Sequence, residues 1–262
     1  MWDPTVYRRF GSERSRPFFD LVGQIGAEKP RAVVDLGCGP GELTATLAEC
    51  WPHARVTGLD SSAEMIERAA GLDAPVTFAV ADIREWQPGP DTDVVVSNAA
   101  LQWVPGHQQL IDGWVAALPP GAWFAMQVPG NFDAPSHRAL YAVADTPPFR
   151  NAIDGLLRDE PVGDPAAYAA RMTAAGATVD AWETTYLHLL PAATGADEHP
   201  VLRWMDGTAL RPVRAALDAE AFAAFRADLA ERLAIAYPAV NGMVAFPFRR
   251  IFVVARTALS VA

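Results

Sequence analysis

Residues 33–41 read Val-Val-Asp-Leu-Gly-Cys-Gly-Pro-Gly, and Glu42 follows them at the start of an amphipathic stretch. The apolar run predicts a buried strand, and the three alternate glycines predict a tight loop before a helix. Glycine permits a positive φ angle and lets a ligand approach the backbone closely. The stretch therefore predicts a nucleotide-binding loop at a strand-to-helix junction.

The same loop narrows the choice of nucleotide. A dinucleotide fingerprint has glycine at its first, third and sixth positions, which here hold Gly37, Gly39 and Glu42. The Glu42 carboxylate would repel a pyrophosphate at the helix start, so a nucleotide-binding oxidoreductase is the weaker alternative. A phosphate-binding loop is excluded because no Gly-Lys-Ser/Thr follows. The loop favours a ligand without phosphate.

Around the loop, apolar runs alternate with amphipathic stretches, which predicts β/α units and a parallel sheet. Predicted strands of the first half cover residues 31–36, 55–59, 76–80, 93–97 and 123–128, and predicted helices cover 42–50, 63–70 and 108–118. The second half predicts a long strand at 178–190, a helical block at 200–237 and a closing strand at 249–255. In the helical block, the apolar residues at helical spacing are Phe222, Phe225, Leu229 and Leu233.

Polar residues follow three of these predicted strands: Asp60-Ser61, Asp82-Ile83, and the segment Ser-Asn-Ala-Ala-Leu-Gln-Trp at 97–103. Together with the glycine loop, these landmarks resemble the Rossmann-like S-adenosylmethionine-dependent methyltransferases. The ligand of that class has a sulfonium and an ammonium, so acidic residues suit it. The resemblance implies an α/β Rossmann-like fold with a mostly parallel seven-stranded sheet, helices on both faces, and helical insertions that form a lid.

The resemblance also implies a cofactor, S-adenosyl-L-methionine, with S-adenosyl-L-homocysteine as product. It places the ribose at Asp60, the adenine at Asp82, and the methionine half at the segment after the fourth strand. Taken alone, Asp60 and Asp82 could equally be turn or cap residues. The implied cofactor-binding residues are Asp35, Gly37, Gly39, Gly41, Asp60, Ser61, Asp82, Ile83, Asn98 and Ala99.

Pieces spread along the whole chain look more specifically like the trans-aconitate methyltransferases, which esterify one carboxylate of a small tricarboxylate. These pieces are the glycine loop, 97–104, Glu13–Pro17, Trp182–Tyr186, Leu210–Pro212 and Phe248–Arg256. The chain departs from the family pattern at 145–170 and 192–200, where the segment lengths differ and proline is more frequent. Another small-molecule or carrier-bound carboxylate acceptor stays open, as does a non-catalytic cofactor-binding protein.

A carboxylate acceptor needs little chemical help, because with a pKa of about 4 it is already ionised at neutral pH. The protein has to bind the anion, align the two reacting atoms and exclude water. We therefore expect positioning residues only, with no catalytic base and no metal. The candidate acceptor-binding residues are Tyr7, Gln102, Trp103, Tyr186, His188, Arg211 and Arg250.

Several of these candidates also have a structural interpretation. Arg249 and Arg250 begin a predicted strand, so alternation sends them to opposite faces, and the resemblance favours Arg250 for the site. Arg211 precedes a proline and could cap a helix or pair with Asp206. For His188, a buried structural histidine is the favoured alternative.

The composition of the chain indicates which classes of partner are disfavoured. The 262 residues carry a net charge of −10, which disfavours nucleic-acid and anionic membrane partners. Residues 1–200 hold 13 basic and 26 acidic side chains, whereas 201–262 hold 8 and 5, so the basic end suits an anionic ligand. No apolar run is long enough for a membrane span, and we expect a cytoplasmic protein with a small polycarboxylate substrate. The sequence leaves the oligomeric state open.

The expected domain organisation is one methyltransferase domain over 1–262. Residues 1–130 form its cofactor-binding half, and the segments 131–176 and 197–240 are helical insertions expected to form a substrate lid. Insertions at the carboxyl ends of parallel strands lie over the ligand crevice, which is the reason for this expectation.

Overall fold

The computed structural model describes residues 15–157, 162–193 and 198–259. Within these residues the chain forms ten α-helices and eight β-strands. The strands are β1 Ala32–Leu36, β2 Arg55–Asp60, β3 Val76–Val80, β4 Thr92–Asn98, β5 Trp123–Pro129, β6 Thr178–Pro191, β7 Ala239–Val240 and β8 Met243–Arg256. The helices are α1 Arg16–Val22, α2 Glu42–Cys50, α3 Ala63–Ala70, α4 His107–Ala117, α5 Pro135–Ala144, α6 Pro147–Ile153, α7 Pro165–Ala174, α8 Pro200–Asp206, α9 Arg211–Ala216 and α10 Ala219–Ala236.

The strands form one mixed sheet in the order β3-β2-β1-β4-β5-β8-β6, with β7 paired to β8. Strands β1 to β5 are parallel, and β8 runs antiparallel to β5. The order reverses between β1 and β4, and ligands bind outside the carboxyl ends of the strands at such a switch point. The α/β class is therefore confirmed, and the sheet has eight strands instead of the predicted seven because the two-residue β7 adds one.

The described chain divides into two compact units. The first unit comprises 15–129, 162–184 and 250–259, and the second comprises 130–157, 185–193 and 198–249. The predicted insertion at 131–176 includes residues of both units, because α7 belongs to the first. The role of the insertions as a lid stays a prediction.

The first unit is built on strand β1, whose five residues are all buried. A parallel strand covered on both faces is a continuous apolar run, as the sequence indicates here. Val95, Phe124 and Met126 on neighbouring strands are also buried, and Trp114 of α4 packs into the same core. This core holds the carboxyl ends of the strands in a fixed arrangement.

The second unit has its own core around α10, where the predicted apolar residues Phe222, Phe225, Leu229 and Leu233 are all buried as expected. The predicted helical block at 200–237 consists of three helices. One break follows from Asp218, whose side chain accepts a hydrogen bond from the Ala221 amide at 2.8 Å and begins α10. An aspartate in that position is a helix N-cap.

The closing strand is longer than predicted, because β8 begins at Met243 and not near residue 249. Asn241 and Gly242 have φ angles of 51° and 76° and join β7 to β8. An Asn-Gly pair with two positive φ angles is the preferred two-residue hairpin turn, and it extends the strand toward its start. None of the helices in the described ranges is long and apolar enough to span a bilayer.

Candidate functional site

The glycine loop between β1 and α2 uses three left-handed glycines for different reasons. Gly37 has φ 84°, its amide donates to the Leu59 carbonyl at 2.7 Å, and a Cβ there would overlap the Ala100 side chain. Gly41, with φ 83°, begins α2, and a Cβ there would lie within 2.8 Å of Phe78. Gly39 has φ 56° and open space around it. The loop thus leaves backbone exposed to a ligand at Gly39.

Asp60 ties this loop to the end of β2. One carboxylate oxygen accepts from the Gly39 amide and the other from the Ser62 amide, both at 2.9 Å. Ser61, between them, is exposed. A carboxylate has about four acceptor positions, so two stay open for ligand hydroxyls.

Asp35 lies at the base of the loop and is 3% exposed. Burial raises the pKa of its carboxyl to about 7, although a hydrogen bond from the Thr44 hydroxyl, at 2.6 Å, opposes that rise. The charge of Asp60 raises the pKa further. A ligand cation near this carboxyl would favour its ionised form.

We expect Asp35→Asn to weaken binding of S-adenosylmethionine at pH 8. We also expect the ligand-free variant to gain stability over the ligand-free wild type as the pH rises from 5 to 8. Because the folded pKa lies above the normal value of 3.8, the folded wild type binds more protons than the unfolded chain between about pH 4 and 7. Its stability therefore falls as the pH rises through that window, and the asparagine variant lacks this loss, which amounts to a few kcal/mol.

Denaturant unfolding at pH 5 and pH 8, with calorimetric titration of the cofactor, measures both effects. Asp73→Asn is the matched control, because Asp73 is exposed in the same unit. An Asp35→Asn stability difference that is equal at the two pH values would contradict the role assigned to burial.

Asp82 follows β3 and forms a bidentate ion pair with Arg84, a partner that the sequence reasoning missed. The hydrogen bonds from Arg84 lower the pKa of the Asp82 carboxyl to about 2. Ile83 beside it is buried. Asp82 is therefore ionised at neutral pH, and the ion pair with Arg84 holds its carboxylate in one orientation.

The segment after β4 departs from ordinary backbone geometry. Ala99 has a positive φ of 55°, and its amide donates to the Gln127 carbonyl at 2.9 Å. Such a conformation is uncommon for a residue with a side chain and is often found at functional sites. The Asn98 Oδ1 atom beside it is buried and has no hydrogen-bond partner among the described residues. That oxygen is available to a ligand N–H group.

Two of the candidate residues for binding the methyl acceptor lie on the short 3-10 turn at Leu101–Trp103. Gln102 is 7% exposed, and its Nε2 donates to the Ala99 carbonyl at 2.6 Å. This hydrogen bond stabilises the positive φ conformation of Ala99. Trp103 is 52% exposed, so its ring is not part of the core.

Arg250 is the one of the two adjacent arginines that is buried, at 6% exposure. Its Nη1 donates to Gln127 Oε1 at 3.2 Å within the first unit. The Arg249 guanidinium instead donates to the Gly130 carbonyl in the second unit. The two side chains therefore have different environments, and Gln127 is a polar residue that the sequence reasoning missed. The feature of the sequence that could have indicated Gln127 is an amide inside the otherwise apolar strand β5.

Three of the remaining candidates, His188, Tyr186 and Arg211, lie in the second unit. His188 is 4% exposed and stacks on Trp204, with ring centroids 4.8 Å apart. Tyr186 is 6% exposed. Arg211 is exposed at the first position of α9, and Asp206 pairs with Arg226, so the proposed Arg211–Asp206 pair does not form. Tyr7 lies outside the described residues.

In residues 15–157, 162–193 and 198–259, no group of three or more His, Cys, Asp or Glu side chains could hold a metal ion.

Comparison with known proteins relates this geometry to a family. A family model described as "Methyltransferase domain" matches residues 33–121, which contain the glycine loop and the polar segments after β2, β3 and β4. A trans-aconitate 2-methyltransferase of Mycobacterium sp. (strain KMS) is 53% identical over 98% of this chain and 100% of its own length. The chain belongs to the trans-aconitate 2-methyltransferase family. The predicted family and the methyltransferase activity are thereby confirmed.

Solved structures agree on the fold. A putative sarcosine dimethylglycine methyltransferase from Galdieria sulphuraria has a TM-score of 0.55 at 15% identity, covering 100% of this chain and 92% of the other. Phosphoethanolamine N-methyltransferase 2 of Haemonchus contortus, in complex with S-adenosyl-L-methionine, has a TM-score of 0.50 at 16% identity. That match covers 93% of this chain and 52% of the other, so this chain spans about half its length. These solved structures therefore share the predicted fold with this member of the trans-aconitate 2-methyltransferase family.

Proposed function

We propose that this chain transfers a methyl group from S-adenosylmethionine to one carboxylate oxygen of trans-aconitate, forming a monomethyl ester. Membership of a family with that acceptor in its name supports the substrate. The observation in the structure that carries the proposal is the buried Arg250 guanidinium near the carboxyl ends of β4 and β5. A buried arginine suits an anionic ligand because its planar fork donates two parallel hydrogen bonds to a carboxylate.

The described residues fit a cofactor that carries positive charge and no phosphate. Carboxylates at Asp35, Asp60 and Asp82 follow or end three adjacent parallel strands, and the open backbone at Gly39 admits a ligand. The buried Asn98 Oδ1, which has no partner among the described residues, can accept an N–H hydrogen bond from such a cofactor. The proposed cofactor-binding residues are Asp35, Gly37, Gly39, Gly41, Asp60, Ser61, Asp82, Ile83, Asn98 and Ala99.

When bound, S-adenosylmethionine supplies a methyl group on a positively charged sulfur. The acceptor carboxylate is already ionised, so no side chain has to remove a proton from it. Arg250 holds the anion, and the hydrogen bond from Gln102 to the Ala99 carbonyl holds the turn after β4 in place. Methyl transfer neutralises the positive sulfur and the negative oxygen, so exclusion of water from the reacting pair favours the reaction.

The same proposal assigns acceptor binding to Tyr7, Gln102, Trp103, Tyr186, His188, Arg211 and Arg250. The helical insertions are proposed to form the substrate lid. A cytoplasmic location is supported by Cys38 and Cys50, which are not joined in a disulfide, as is typical of a reducing compartment.

Methyl transfer from labelled S-adenosylmethionine to a panel of free di- and tricarboxylates tests the reaction. We expect strong turnover of trans-aconitate, weak turnover of its cis isomer, and a product that loses its label on mild base treatment, as an ester does. Heat-treated enzyme is the control for non-enzymatic transfer.

No transfer to any free acid, with cofactor binding intact by calorimetry, would contradict the acceptor and redirect the search to carrier-bound acids. A base-stable labelled product would contradict ester formation.

A further inference from the structure

Gln127 is an amide in an otherwise apolar part of β5, between Met126 and Val128, and its residue is 0% exposed. It pairs in register with Asn98 on β4. Residues directly opposite each other on neighbouring strands point to the same face of a sheet, so the two amides share a face. Arg250 reaches this face too, because it lies opposite Pro129, two residues after Gln127.

The hydrogen bond from Arg250 fixes which way the Gln127 amide faces. A guanidinium has N–H donors and no acceptor, so Gln127 turns its oxygen to Arg250 Nη1, at 3.2 Å. The amide nitrogen must then point elsewhere. That nitrogen is buried and has no hydrogen-bond partner among the described residues.

A buried N–H group without a partner is costly, and native proteins retain few of them. The cost is recovered when a ligand supplies the missing acceptor. Gln127 Nε2 is a donor and therefore suits an anionic oxygen, whereas Asn98 Oδ1 is an acceptor and suits a ligand N–H. The two unpartnered atoms thus select different ligand groups.

We propose that Gln127 is an acceptor-binding residue, whose Nε2–H donates a hydrogen bond to the same carboxylate that Arg250 binds. The inference rests on the proposed function and adds a second donor to the arginine. Two donors from neighbouring strands hold the carboxylate in one orientation, which presents one oxygen for methyl transfer. Gln127 also positions Arg250 through its own oxygen.

Gln127→Glu keeps an oxygen for Arg250 and replaces the donor with a second, negatively charged oxygen, which also repels the acceptor carboxylate. We expect the KM for trans-aconitate to rise tenfold or more. The affinity for S-adenosylhomocysteine stays within twofold, and the melting temperature stays close to that of the wild type because the introduced carboxylate attracts Arg250. Gln127→Met, of similar length and without hydrogen bonds, removes both roles together, so it is expected to raise KM as well and keeps the inference testable if the buried charge of Gln127→Glu prevents folding.

Gln109→Glu is the matched control, because it adds the same charge at an exposed position of α4 and is expected to leave KM unchanged. Folded Gln127 variants with an unchanged KM, beside an active wild type, would overturn this inference alone. Weakened S-adenosylhomocysteine binding with an unchanged KM would assign Gln127 to the cofactor and also overturn it. A wild type that does not methylate trans-aconitate would overturn the proposed function together with this inference.

Discussion

Arg250→Ala is expected to raise the KM for trans-aconitate by about 30-fold to several thousandfold. Removing one member of a buried, hydrogen-bonded charge pair costs on the order of 2–5 kcal/mol, and each 1.4 kcal/mol is about a factor of ten. Cofactor affinity is expected to stay the same, because the Arg250 side chain donates to Gln127 on β5, whereas the glycine loop joins β1 to α2. Steady-state kinetics and calorimetric titration of S-adenosylhomocysteine measure the two effects separately.

Arg249→Ala is the matched control for this prediction. The Arg249 guanidinium donates to the Gly130 carbonyl, and its backbone amide donates to Asn131 Oδ1 at 2.6 Å, a contact that alanine keeps. We expect acceptor KM to be nearly unchanged in this variant. Equal rises in KM in both variants would mean that loss of positive charge alone weakens acceptor binding, and an unchanged KM in Arg250→Ala would remove Arg250 from the site.

Much of the first unit could be predicted from local sequence. The predicted helices at 42–50 and 63–70 and the predicted strand at 76–80 have the bounds that the structure gives them. Their signals are local: apolar periodicity, the glycines that precede α2, and the turn residues between elements. The positions of Asp60 at the end of β2 and of Asp82 after β3 follow from the same pattern, because polar residues come directly after the apolar runs that predict these strands.

The acceptor side could not be predicted in the same way. Alternation along β8 indicates that Arg249 and Arg250 differ, but which one is buried depends on β5, its partner strand. Gln127 lies 123 residues from Arg250 along the chain, so the hydrogen bond that orients it has no local signal. The ion pair of Arg84 with Asp82 is different, since only Ile83 separates the two residues and the pairing could have been proposed.

The glycine loop provides the second large expected effect. Gly37→Ala is expected to lower the free energy of unfolding by about 2–5 kcal/mol, because a left-handed residue with a side chain costs about 1–2 kcal/mol and the overlap with Ala100 adds to it. Gly39→Ala has open space and only the backbone cost of about 1–2 kcal/mol. Denaturant unfolding of the two variants measures this difference.

Gly39→Ala is expected to affect cofactor binding more than stability, because the open space at Gly39 in the ligand-free fold is the space that a bound ligand needs. We expect Gly39→Ala to weaken S-adenosylhomocysteine binding at least tenfold by calorimetry, since its methyl group keeps the ligand away from the backbone. Gly176→Ala is the matched control, because Gly176 has φ 85° and open space but lies between α7 and β6, away from the loop. Gly176→Ala is expected to lower the free energy of unfolding by about as much as Gly39→Ala does, and to leave the affinity for S-adenosylhomocysteine unchanged. If Gly39→Ala binds the ligand as tightly as Gly176→Ala does, the open backbone at Gly39 is a feature of the turn alone, and the cofactor approaches the sheet from elsewhere.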